Sequence, residues 1–509
     1  MLLLLLACTP DVAHPEDTAE IADTADSGDS ADTGDSGVPA FFSDDAIKDI
    51  ERAITKDLRK NDVSGAQVAV WYEGELVYVM SFGTKHPDTE ELVDDATLFQ
   101  IGSDTKKITA LAALQQVEAG TMSLDSTVAD LLPSVSLALS PEWAETATLH
   151  DLLSHQGGLF DFTPWDDNPD DGYLRSLAEG EFSERGWELA PPGEFWNYSN
   201  PNFSIAGLMT EAATGRAWPD IVEADVFAPM GLLDTYARKS EVEARGNYAT
   251  GTGYTISGDD AFDLLDSPSY TFGTVEMAAV TDNAFTRPAG MVWSTASDMA
   301  RFGSFFIVGD TTVLSDELRG EMTTMQVPLY PAWDAQAYGY GWMVVQGIST
   351  GNDYYDIPAY VHGGNTLSFT STTYVLPEQK LSFSILSNSY GDDFTASVVE
   401  LILSSGLLPE PGENPGIPGG ETDHGELVGT YDEPTLGPIY VTDVDGTLNI
   451  EVPFFDELGA GYSAELDYTG LTDRYYATVN GGTLDFTFVA DDSGAYTWMR
   501  NREYVGTRP

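Results

Sequence analysis

A chain of 509 residues is longer than one compact core accommodates, and its 42% hydrophobic content is enough for two or three packed units. Its 83 Asp and Glu against 22 Lys and Arg leave a net charge of −61. Such a field repels nucleic acid and anionic lipid, so neither is an expected electrostatic partner.

The chain opens "MLLLLLACTP", an apolar run followed by Ala7 and then Cys8, the sole cysteine, so no disulfide can form within the chain. Residues 1–8 resemble the lipobox of bacterial lipoproteins, although no Lys or Arg precedes the run and six apolar residues is short for a signal core. The resemblance implies lipidation at Cys8 and an extracytoplasmic protein that meets a membrane only through that anchor. No other stretch is apolar for long enough to span a bilayer. Residues 9–40 read as a disordered acidic tether: Asp recurs at 23, 26, 29, 32 and 35 among small and polar residues. Within it, "GDSG" at 34–37 imitates the nucleophile loop of trypsin-like proteases, but a segment without a core cannot build an oxyanion hole.

Ordered sequence starts at residue 41. "DDAIKDIERAITKDLRKN" places Ile47, Ile50, Ile54 and Leu58 at helical spacing. "AQVAVWY" and "ELVYVMSFG" follow as two β-rich runs joined by Glu73 and Gly74, which predicts a hairpin. Next comes "FQIGSDTKKITALAALQQVEAG", residues 99–120. Gly102 permits a turn, Ile108, Leu111, Leu114 and Val117 share one face, and Gly120 ends the helix. Ser103 then sits at the helix start with Lys106 three residues on, on the same side. The Ser103 amide is among the unpaired N–H groups of that helix, with the positive end of its dipole behind it. A nucleophile beside its base and an N-capping serine beside a solvated lysine explain this spacing equally well. With eight lysines, about half a Ser-x-x-Lys match arises by chance.

Further along, "DFTPWDDNPDDGY", residues 161–173, reads either as a border of the cleft or, in the preferred reading, as a solvated acidic loop, and it receives no site. "GEFWNYSNPNFSIAG" sets Tyr198 and Asn200 just before a helical run. "AYVHGGNTLSFTSTTYVLPEQKLSFSILSNS" reads as three strands, the first carrying His362, Gly363, Gly364 and Asn365, and "DDFTASVVELILSSG" as a closing helix. Strands near both ends with a helical middle predict an antiparallel sheet flanked by helices, an α/β (α+β) arrangement spanning residues 41–408. Residues 409–424 form a Pro/Gly linker, and residues 425–509 read as short strands of a small β-barrel-like domain. Its "DVDG", 443–446, is a hairpin turn rather than a calcium loop, because Phe454 stands where an EF-hand needs Glu. His14, His86, His150 and His424 show no paired ligand spacing, so neither metal nor cofactor is expected.

Three motifs in order, Ser103-Asp-Thr-Lys106, Tyr198-Ser-Asn200 and His362-Gly-Gly364, resemble those of the penicillin-recognising serine hydrolases. The closest branch is that of class C β-lactamases, D-alanyl-D-alanine carboxypeptidases and related esterases. The flanking "TLHDLLSHQGGL" and "GMVWSTASDMARF" extend the likeness. The resemblance implies a transpeptidase-like fold and a Ser103 acyl-enzyme, with Lys106 and Tyr198 relaying protons. A relaying lysine requires a pKa well below the free value of about 10.4. It also implies that Asn200 bonds the substrate or the lysine, that the amides of Ser103 and Asn365 form the oxyanion hole, and that His362 and Gly364 border the substrate. His155 is implied to be structural. His362 stands where many β-lactamases carry Lys, which weakens the expected hold on carboxylates and predicts poor β-lactam turnover. The expected substrate is a small molecule or peptide: a D-amino-acid peptide, an ester or a β-lactam. The alternative is a ligand-binding or sensing surface lipoprotein without turnover. The sequence does not set the oligomeric state.

Overall fold

The computed structural model describes residues 41–137, 146–185, 188–257, 269–434, 436–454, 463–479, 482–502 and 504–508. Cys8, the lipobox-like segment 1–8 and the tether 9–40 lie outside them.

The first helix, Asp44–Lys60, begins where the Ser43 hydroxyl accepts the Ala46 amide, and it buries Ile50 and Ile54. The hairpin Gly65–Tyr72 and Glu75–Gly83 follows as expected. Both strands join an eight-stranded sheet whose neighbours are antiparallel. Its order is Glu75–Gly83, Gly65–Tyr72, Leu381–Ser387, Thr370–Leu376, Asp353–Asn365, Met343–Thr350, Trp333–Tyr338, Val327–Tyr330. One face packs on the first helix and the closing helix Thr395–Ser404 through Ile50, Ile54, Val68, Val70, Phe383, Ile385 and Leu401. The other face packs on Ala296–Val308 and the helical middle of the chain, which hold the larger core.

Three strands between residues 327 and 350 were not expected from the sequence. Pro328, Pro331, Gly339 and Gly341 interrupt their pattern and hide them as loops. The His362 strand is also longer than predicted, starting at Asp353. Its register with Met343–Thr350 shifts between Tyr355 and Pro358, which is how a proline enters a paired strand.

The C-terminal part is a nine-stranded, nearly closed barrel-like sheet, filled by Tyr431, Ile439, Leu448, Tyr475 and Phe488. The "DVDG" segment is its expected hairpin turn: Val444 pairs with Thr447, and Asp445 and Gly446 take φ of 53° and 88°. The linker is held at both ends, by the Gly412 amide on the Tyr354 carbonyl (2.7 Å) and the Thr472 amide on the Pro418 carbonyl (3.0 Å).

The barrel-like part and the larger part meet through an apolar patch of Leu189, Phe195, Val489, Trp498 and Val505. Beside it, three arginines of the barrel lie over three aromatic rings of the larger part: Arg474 on Tyr330 (4.6 Å), Arg500 on Trp196 (5.3 Å) and Arg502 on Tyr198 (4.6 Å).

Near this patch Glu188 is fully buried, and neither carboxylate oxygen has a hydrogen-bond partner among the described residues. Burial pushes its carboxyl up to about 8. The folded chain therefore keeps a proton that the unfolded chain releases, so this group's contribution to stability falls as pH rises from about 4.5 to about 8. Glu188→Gln is expected to raise stability by on the order of 3 kcal/mol at pH 8 and by little at pH 5. Urea melts at the two pH values check this; an equal gain at both would refute the burial argument.

Candidate active site

The sequence forms Ser103's surroundings from glycine inward. Ser103 lies in a tight turn, Gly102–Asp104, that leads into the helix Thr105–Glu118. Gly102 has φ of 51°, and a Cβ there would lie 2.7 Å from the Asn365 amide nitrogen. A Cβ on Gly364 would lie 2.0 Å from the Ile101 carbonyl and 2.7 Å from the Ser103 amide nitrogen. Two bare backbones thus let the end of the His362 strand lie flush on the turn. The Ser371 hydroxyl, donating to the Ile101 carbonyl at 2.7 Å, fastens the next strand to the same turn.

Lys106, also buried, reaches back to Ser103. Its Nζ lies 3.0 Å from Ser103 Oγ, 2.6 Å from Asn200 Oδ1 and 2.8 Å from the Ala289 carbonyl. The Tyr198 hydroxyl donates to Ser103 Oγ at 2.8 Å, and the Lys106 amine lies 4.8 Å from the centre of the Tyr198 ring. Hydroxyl, amine and phenol, drawn from positions 103, 106 and 198, therefore meet at one point. Asn200 holds the lysine because its own amide is oriented: Nδ2 donates to Thr163 Oγ1 at 2.8 Å, which turns Oδ1 towards Lys106.

The loop at 161–173, expected to be solvated, is instead part of this surround. Asp161 Oδ1 accepts the Asn200 amide at 2.8 Å, and Oδ2 pairs with Arg502, whose guanidinium covers the Tyr198 ring. Farther along, Asp171 pairs with Arg287 and Arg238. Arg287 is itself buried and begins the short helix Arg287–Gly290, which carries the Ala289 carbonyl to Lys106.

His362 is placed differently from the expected substrate-bordering position. Only 1% exposed, it lies beneath the site with Nε2 2.9 Å from the Tyr338 hydroxyl. Its Nδ1 is 2.6 Å from the Gly363 carbonyl, an acceptor only, so Nδ1 carries the proton and Nε2 accepts from Tyr338. Burial, then the nearby Lys106, push its pKa down to about 3. The imidazole is neutral and offers no cation to a substrate. Asn365 contributes its backbone at Gly102, while its side chain accepts from Thr370 Oγ1 and the Gly391 amide.

His155 is structural here too. Its ring packs on Tyr198 with centroids 4.2 Å apart, and its Nδ1 accepts the Ser199 amide at 3.2 Å. Burial, then Lys106, hold its pKa well below the usual imidazole range.

A family model described as Beta-lactamase matches residues 50–404. The chain belongs to this family. Penicillin-binding protein 4 of Amycolatopsis lactamdurans is 28% identical over 387 residues, covering 73% of this chain and 94% of that protein. A crystal structure of SurE is 22% identical with a TM-score of 0.68, covering 91% of this chain and 99% of its own. SurE with D-Leu gives a TM-score of 0.62 at 22% identity, covering 92% and 100%. A class C β-lactamase mutant gives 0.54 at 19% identity, covering 71% of this chain and 97% of its own. At these identities the solved structures show the fold. The SurE match extends beyond the family region, over nine-tenths of the chain.

Proposed function

We propose that the protein is a hydrolase in which Ser103 attacks a carbonyl and passes through an ester intermediate. The observation that carries this reading is the setting of the Lys106 amine. Two of its neighbours, Asn200 Oδ1 and the Ala289 carbonyl, are oxygens that only accept hydrogen bonds. A neutral amine gives its two N–H groups to them, and its lone pair is left facing Ser103 Oγ at 3.0 Å. Lys106 is then the base that takes the Ser103 proton as the oxygen attacks. Tyr198, donating to the same oxygen, holds the attacking atom and afterwards passes a proton to the leaving group. The amides of Ser103 and Asn365, set against one another by Gly102 and Gly364, receive the developing oxyanion.

For substrate class, relatives supply the support. One is named a penicillin-binding protein, and another has been solved with a D-amino acid. We therefore assign a peptide or ester ending in a D-amino acid as the substrate, with β-lactams turned over poorly.

The experiment is covalent labelling. A fluorophosphonate probe is expected to mark the wild-type chain at a single peptide containing Ser103, and Ser103→Ala is expected to abolish the mark. An unlabelled wild type, or labelling that survives Ser103→Ala, would overturn the reading.

A further inference from the structure

The barrel-like part, residues 425–508, contains four arginines and no lysine. Three of them face the large part: Arg474 over Tyr330, and Arg500 and Arg502 across a small cleft bounded by Trp196, Tyr198 and Tyr330 on one side and by Arg500, Arg502 and Asp485 on the other. Two of the three are matched by carboxylates: Arg474 with Asp485 and Arg502 with Asp161. Arg500 is not. Among the described residues it forms no ion pair; its Nη2 donates to the Leu329 carbonyl at 2.6 Å, and its buried Nε has no partner. The indole Nε1 of Trp196, under the Arg500 guanidinium, is likewise buried and without a partner. Burial brings the Arg500 pKa down to about 10, which leaves it charged at neutral pH. A buried guanidinium with idle donors is costly to keep unless something anionic visits it. Asp485, which also lines the cleft, acts on both Arg474 and Arg500, so three arginines share the two carboxylates Asp485 and Asp161 and one positive charge is left over beside Tyr198.

We propose that this cleft is a carboxylate subsite in which Arg500 holds the free carboxylate on the leaving-group side of the substrate. This rests on the hydrolase reading above. The cleft lies on the Tyr198 side of Ser103, where that reading has the leaving group depart. The planar fork of a guanidinium fits a carboxylate, and the single unmatched charge fits a monoanion. The His362 strand offers no substitute, because His362 is buried and neutral. The positive charge that binds substrate is thus supplied by the barrel and not by the His362 strand.

The test is calorimetry on the full chain carrying Ser103→Ala, titrated with N-acetyl-D-alanyl-D-alanine and with its C-terminal amide. The acid is expected to bind at least 10-fold more tightly than the amide. Adding Arg500→Gln should remove that preference without changing affinity for the amide, which controls for folding, and Arg500→Lys should keep part of it. Equal affinities, no measurable binding of the acid, or a preference that survives Arg500→Gln each overturns the subsite. Fluorophosphonate labelling of the wild type reports separately: labelling without an acid preference removes only the subsite, and a preference without labelling removes only the hydrolase reading.

Discussion

Lys106→Met is expected to slow fluorophosphonate labelling of Ser103 by about 10³-fold, within the range typical of a lost general base. Methionine fills much of the same channel but has no donor for Asn200 Oδ1 or the Ala289 carbonyl and no lone pair positioned to take the Ser103 proton. Leaving two buried acceptors unpaired costs about 1–3 kcal/mol each, while removing a buried amine recovers desolvation, so the variant should remain folded. The second-order labelling rate and a thermal melt together decide the matter. A loss below 10-fold with an intact melt would mean that Ser103 does not depend on this amine.

Lys107→Met is expected to have the largest effect on stability, a loss of about 3–5 kcal/mol. Lys107 and Asp104 are both fully buried and pair at 2.7 Å, with the ammonium 4.6 Å from the Trp342 ring centre. Thr373 Oγ1 donates to the second Asp104 oxygen at 2.8 Å. Burial drives the Asp104 carboxyl up and the Lys107 amine down, and each is opposed by the charge of the other. Removing one partner strands the other in a site without water. Because Asp104 adjoins Ser103 and its partner Thr373 lies on the strand next to that of His362, the pair also pins the Ser103 turn to the sheet. Asp104→Leu with Lys107→Met should recover most of the loss, since a buried ion pair and an apolar pair of similar volume differ little. Urea denaturation of the two variants measures both numbers; a single-variant loss under about 1 kcal/mol would contradict the account.

What the chain disclosed in advance was the chemistry that is local or carried by short motifs. Ser103 and Lys106 are one helical turn apart, so their meeting follows from helix geometry, and Tyr198 precedes, and Asn200 begins, a helix of their own. The hairpin at 65–83, the three strands around His362 and the Asp445–Gly446 turn follow from alternation and turn chemistry. The missed features depend on contacts that no local pattern encodes. Asp161 resembled one more solvated carboxylate among many, yet its partner Arg502 is 341 residues away. His362 was recognised as an unusual member of its motif, but strand alternation does not say which layer covers a side chain, so its burial and its neutrality were invisible. The Asp104–Lys107 pair has the same three-residue spacing as Ser103 and Lys106, and one helix start holds both. Sequence marks the spacing and not which of the two lysines touches the serine from inside and which is locked against tryptophan.

The stacking of barrel arginines on Tyr330, Trp196 and Tyr198 has a consequence for biosynthesis. Asp161, Trp196 and Tyr198 leave the ribosome some 300 residues ahead of Arg500 and Arg502, a gap of roughly twenty seconds to a minute at ordinary translation rates. Once residues through the closing helix have emerged, the serine, lysine and phenol have the partners that bring them together, but one wall of the cavity beside them is still missing. The final β-strands act as a late-arriving keystone, and a polypeptide truncated before them would leave the rings of Tyr330, Trp196 and Tyr198 without their arginine cover.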